Sequence, residues 1–79
     1  MYDKTIGEII LFAGDFVPKN FMECNGDFLE IKDYQALYSI LQFTYGGDGK
    51  HEFALPIMSP PLGGGKYMIC VEGIYPSRS

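Results

Sequence analysis

The apolar positions fall into short runs of two different periods. Ile6–Phe12 (IGEIILF) is almost wholly apolar, too short for a core helix, and reads as a buried strand. Gly14 and Pro18 punctuate the turn region after it. Phe21–Cys24 alternates weakly and is followed by Asn25-Gly26, with Phe28–Ile31 beyond. An Asn-Gly pair between two β-type runs predicts a hairpin. The period then changes. After Asp33, a candidate N-cap, Tyr34, Leu37, Tyr38 and Leu41 recur at helical spacing. Ala36 and Ile40 widen that stripe, and Gln35, Ser39 and Gln42 are left for water. A helix of about two and a half turns is marginal alone and must pack on a sheet.

The rest is mostly loop. Thr44–Lys50 carries three glycines in four positions, which disfavours any regular element. Phe53–Pro56 is a short extended piece that its proline stops. A Pro/Gly link over about 57–66 is expected to be mobile, and Tyr67–Glu72 is the last strand. The order β-β-β-α-loop-β predicts an α+β fold, one short helix on a small sheet closed by the C-terminal strand. The expected organisation is a single domain over 1–79.

Composition narrows the function classes. A chain of 79 residues is near the lower size limit for a stable core. Its apolar residues make up 47% and its aromatics 15%, so some apolar surface is expected at the rim, where such patches mark contact sites. The net charge is −4 and the six Lys and Arg are scattered singly, which argues against nucleic acid and anionic membrane surfaces as partners. No apolar run approaches the roughly 20 residues a membrane helix needs, so no membrane insertion is expected. The N-terminus does not read as a signal peptide.

The candidate chemistry is thin. Neither Gly49-Lys50 nor Gly65-Lys66 satisfies the spacing of a phosphate-binding loop. Asp48, between glycines, is better read as a tight turn bonding its own backbone than as a calcium ligand, because a hard cation wants several carboxylates. His51 is the one histidine, with no nucleophile motif beside it. No cofactor, no metal and no enzymatic activity are expected. Cys24 and Cys70 read first as buried free thiols. A disulfide between them is the alternative, and could stabilise by about 3–4 kcal/mol if their strands lay adjacent.

The motifs taken together resemble a known family. Gly7-Glu8-Ile9, Phe12-Ala13-Gly14, Pro18, Cys24-Asn25-Gly26, Ala36-Leu37-Tyr38, Leu41, Tyr45-Gly46-Gly47-Asp48-Gly49 and Phe53-Ala54-Leu55-Pro56 resemble, in order, the phage tail-collar domain. The likeness is to the branch called microcystin-dependent proteins, whose C-terminal segment is similar to Cys70–Arg78. Where that pattern has Gly-Trp, this chain has Asn20-Phe21. The family's long Gly- and His-rich distal region is reduced here to the stretch around Pro60–Gly65, a minimal version.

The resemblance implies a collar lobe that assembles as a symmetric oligomer. The expected function is a non-enzymatic structural subunit that self-associates into a homo-oligomeric fibre or filament, in a virion or outside the cell. Copies of the chain are the expected partner. The candidate subunit interface is Ile6, Ile9, Ile10, Leu11, Phe12, Tyr67, Ile69, Val71 and Tyr75. Tyr2 belongs with the tyrosines near the termini, where an apolar body and a polar tip suit contacts. The second reading is a tail-fibre or baseplate component. It would bind a host surface glycan or protein through a contact loop of Tyr45, Gly46, Gly47, Asp48, Gly49 and Lys50.

Overall fold

A computed structural model of the chain describes residues 4–76. Its strands are β1 (Ile9–Phe12), β2 (Phe21–Glu23), β3 (Phe28–Glu30), β4 (Glu52–Ala54) and β5 (Lys66–Cys70). A 3-10 turn, Ile31–Asp33, leads to the helix α1 (Gln35–Leu41). The α+β class expected from the sequence is the one found, but with two sheets: β1-β5-β2 and β3-β4, both antiparallel. Tyr2, Ser77 and Arg78, singled out in the sequence, lie outside the described residues.

The N-terminal run is not one buried strand. Thr5–Glu8 forms a turn in which the Glu8 amide donates to Thr5 O (3.0 Å) and Gly7 sits at φ +90°. A positive φ at the third turn position is the type II arrangement, which favours glycine. The Gly7 amide then donates to Cys70 O, and the Cys70 amide to Glu8 O, both at 2.9 Å. Two residues therefore oppose Cys70, a glycine-led β-bulge that turns the chain into β1. The Glu8 carboxylate accepts from the Thr5 amide (3.2 Å), so Gly7-Glu8 acts as one device.

The Asn25-Gly26 hairpin does not form. β2 pairs with β5 and β3 with β4, not with each other. Asn25 Oδ1 accepts from the Asp27 amide (3.1 Å) and Gly26 takes φ +85°, a local side-chain turn that sends the chain into the second sheet. The N-cap expectation also fails at Asp33, which lies in the 3-10 turn; Tyr34 occupies the N-cap position without a side-chain bond. The stripe is otherwise as read: Leu37 is fully buried, with Tyr34, Tyr38, Ile40 and Leu41 packed against the core. Ala36 is exposed instead of widening it.

The last strand is central. β5 lies between β1 and β2, which gives its residues two faces. Ile69 joins Cys24, Val71, Leu29, Leu37, Phe53 and Leu55 in the main core between the two sheets and α1. Met68 and Cys70 join Phe21 on the opposite face, with Ile10 and Phe12 against them. Each buried aliphatic or aromatic side chain contributes roughly 1.5–3 kcal/mol relative to exposure.

The helix ends in a strained turn. Gln42 has φ 52° and ψ −142°, and the Thr44 amide donates to Leu41 O (3.3 Å). This is the first central position of a type II′ turn, where glycine is at ease and a side chain is not. Gln42→Gly is expected to stabilise the fold by about 1 kcal/mol, strain relief outweighing glycine's entropic cost. The check is a urea titration, in which the midpoint rises while the slope stays fixed.

Candidate assembly surface and contact loop

The contact loop is pinned by one carboxylate. Asp48 Oδ1 accepts from the amides of His51 (2.8 Å), Lys50 (2.9 Å) and Glu52 (3.1 Å). Those backbone donors, His51 first, hold its carboxyl well below the usual carboxylate range. The other oxygen lies 3.5 Å from His51 Nδ1. The tight turn read from the sequence is the one formed. The loop is also tied sideways to β4: the Ala54 amide donates to Gly46 O (3.0 Å), Gly47 bridges Phe53, and the Tyr38 hydroxyl donates to Gly49 O (3.3 Å). Tyr45, Asp48 and Lys50 remain exposed on this frame. Among the described residues, no group of three or more His, Cys, Asp or Glu could hold a metal ion.

The Asp48 carboxyl has a depressed folded pKa, so its support of the loop is present above its ordinary value of 3.8 and is lost as pH falls below it. Protection of the Lys50, His51 and Glu52 amides, measured relative to their intrinsic exchange at each pH, is expected to fall as the pH drops well below 3.8, before that of the core amides. Asp48→Ala should produce the same change at neutral pH, while Asp48→Asn, which keeps an acceptor oxygen, should preserve most of the protection. NMR hydrogen exchange on the two variants is the check.

The nine interface candidates divide. Ile6, Ile69 and Val71 are core residues, at 7%, 0% and 8% exposure, and cannot present a contact surface. Ile69 is buried because β5 is central, not terminal, in its sheet. Ile10, Phe12 and Tyr67 are half-buried. Ile9 and Leu11 are exposed on the outer strand, and exposed Tyr75 lies against α1 with its hydroxyl 2.6 Å from that of Ser39. On the other face of β1, a groove of about 480 Å³ is lined by Ile10, Phe12, Pro18, Phe21 and Ile74, with Lys4, Lys19 and Glu72 among its polar residues.

Sequence periodicity missed several exposed hydrophobics, among them Phe16, Phe28, Phe43, Ile57 and Leu62. All but Phe28 lie outside regular elements, so no period marks them. Their only signal was the high apolar fraction of so small a chain.

Cys24 and Cys70 are free and buried, and burial raises both thiol pKa values. The alternative of a disulfide fails on register. Cys70 pairs with Phe21, whereas the Cys24 amide donates to Tyr67 O. Three residues of strand, roughly 10 Å, separate the two cysteines along the sheet. An odd offset also puts them on opposite faces, beyond a disulfide's reach.

The turn at Gly7, the Asn25-Gly26 redirection, the two-turn helix, the Asp48-pinned glycine loop and the β4 segment through Pro56 form one contiguous stretch. The sequence profile of the Phage Tail Collar Domain matches residues 7–59. The chain belongs to the phage tail collar family. That family is structural and non-enzymatic, a component of phage tails, which makes a virion-associated protein the natural setting. Among the described residues, no helix is long and apolar enough to cross a membrane. A search of curated proteins gives no match to the chain. The collar match stops before β5, yet β5 is the strand that joins β1 and β2. A collar lobe thus takes its central strand here from outside the matched stretch.

Proposed function

We propose that this collar protein is a self-associating structural subunit, whose copies join into a homo-oligomeric fibre or filament of a virion or an extracellular assembly. The observation that carries the proposal is its surface. Among the described residues, eleven large hydrophobic side chains are more than a third exposed, from Ile9 at 39% to Leu62 at 109%. Scattered single hydrophobics are ordinary on a surface. So many on so small a lobe, two of them on an outer strand that no described residue pairs with on its far side, favour burial between copies. The residues around Cys70–Tyr75 further support the microcystin-dependent branch, in a minimal form without the distal region. Negative-stain microscopy of the purified protein tests the proposal: rings or filaments are expected, and fields of isolated small particles at high concentration would argue against it.

The second reading, a tail-fibre or baseplate part contacting a host glycan or protein, draws on the contact loop. A loop already fixed by Asp48 loses little entropy on binding, and Tyr45 is 51% exposed beside it. A glycan array probed with wild type and Tyr45→Ala separates the readings, since assembly alone predicts no glycan signal.

A further inference from the structure

Each sheet edge treats its backbone differently. On β2, the Phe21 amide donates to Pro18 O and the Asn25 amide to Glu23 O, while Ile57 bridges Asn25. On β4, Gly46 and Gly47 cover the outer side. β3 carries the charged Glu30, with Lys32 3.4 Å away, a common guard on an open edge. Among the described residues, β1 has none of these protections. Ile9–Phe12 contains no charge, proline or glycine.

The register fixes which groups β1 leaves open. The Cys70 amide donates to Glu8 O, so by the alternation of an antiparallel ladder Ile10 and Phe12 bond to β5. Ile9 and Leu11 then aim their N–H and C=O groups outward, where no described residue meets them. Their side chains share the sheet face that holds Ile69 and Tyr67. They stand 39% and 54% exposed, because the main core covers β5 and β2 but stops short of β1.

We infer that β1 of one copy pairs antiparallel with β1 of a second copy, about a two-fold axis at Ile10, joining two three-stranded sheets into one. This rests on the self-association proposed above and names its contact. The edge is self-complementary. Ile9 of one copy opposes Leu11 of the other, and each pair exchanges both backbone bonds, so all the outward groups are satisfied. The same pairing sets Ile9 and Leu11 of both copies side by side, burying the bare strip as cross-strand apolar pairs. Ile10 meets its own copy across the axis as a non-hydrogen-bonded pair. A two-fold contact closes on itself, so a fibre built from it grows through a second contact between dimers.

Sedimentation velocity on wild type and two variants tests this. Leu11→Pro removes an outward N–H and no bond to β5; association should weaken by at least about tenfold, with an unchanged circular dichroism spectrum. Ile10→Cys should form a disulfide-linked dimer under mild oxidation, since non-hydrogen-bonded antiparallel partners lie within disulfide range. Leu62→Cys, exposed but away from the ladder, should not. Wild-type association unaffected by Leu11→Pro would overturn the β1 contact while leaving self-association standing. If Leu11→Pro fails to fold, absence of the Ile10→Cys crosslink in an associating protein overturns it equally. A wild type that stays monomeric overturns both the contact and the reading beneath it.

Discussion

Replacing Phe53 with alanine is expected to cost about 3–5 kcal/mol, most of the stability of a lobe this small. Phe53 is fully buried in the main core, in one cluster with Leu29 of β3, Leu37 of α1 and Ile69 of β5. It pairs with Leu29 across the small sheet, and its ring meets Tyr38 of α1 edge-on at 5.4 Å between centroids. Its backbone also bridges Gly47 of the contact loop. Removing the ring leaves a cavity shared by sheet, helix and loop, in a body with little room to relax into it. Phe28→Ala, one strand away and 56% exposed, should change stability by no more than about 0.5 kcal/mol. Urea titrations at one fixed protomer concentration compare the two, because association itself would shift the midpoint. A Phe53→Ala loss under about 1.5 kcal/mol would show that the core does not converge on this ring.

Gly47→Ala should be nearly as damaging, by at least about 2 kcal/mol, although the position is exposed. Gly47 sits at φ +106°, and a Cβ there would lie 2.5 Å from both Glu52 O and Phe53 Cα. Those are backbone atoms, so no side chain can move aside. The loop must lift off β4, taking with it the Ala54–Gly46 bond. Gly63→Ala is the control: it meets nothing within 4 Å and should be tolerated. Thermal unfolding of the two variants gives the comparison, and equal melting temperatures would contradict the close approach at Gly47.

The helix was legible because its signal is periodic and its face is buried: Leu37 and its neighbours lie where the spacing put them. Asp48 was legible because an aspartate between glycines has few options, and its carboxylate took the local one. Strand pairing was not legible. Asn25-Gly26 has the composition of a hairpin turn, but β2 found β5 and β3 found β4, choices made by long-range packing. The same competition put Ile69 and Val71 in the core instead of at an interface, since which strand is central depends on the whole sheet. At the N-terminus, an apolar run hid a turn and a bulge; only Gly7 marked the break. Of the exposed large hydrophobics, the sequence reading named Ile9, Leu11 and Tyr75 but not the loop residues Ile57 and Leu62.

Static light scattering across a concentration series addresses self-association most directly. The expected result is a mass that is a multiple of the 8.9 kDa chain and grows with concentration. A mass that stays at 8.9 kDa into the high micromolar range would contradict it: the exposed apolar residues of the collar lobe would then face water, and assembly would not be what this protein is for.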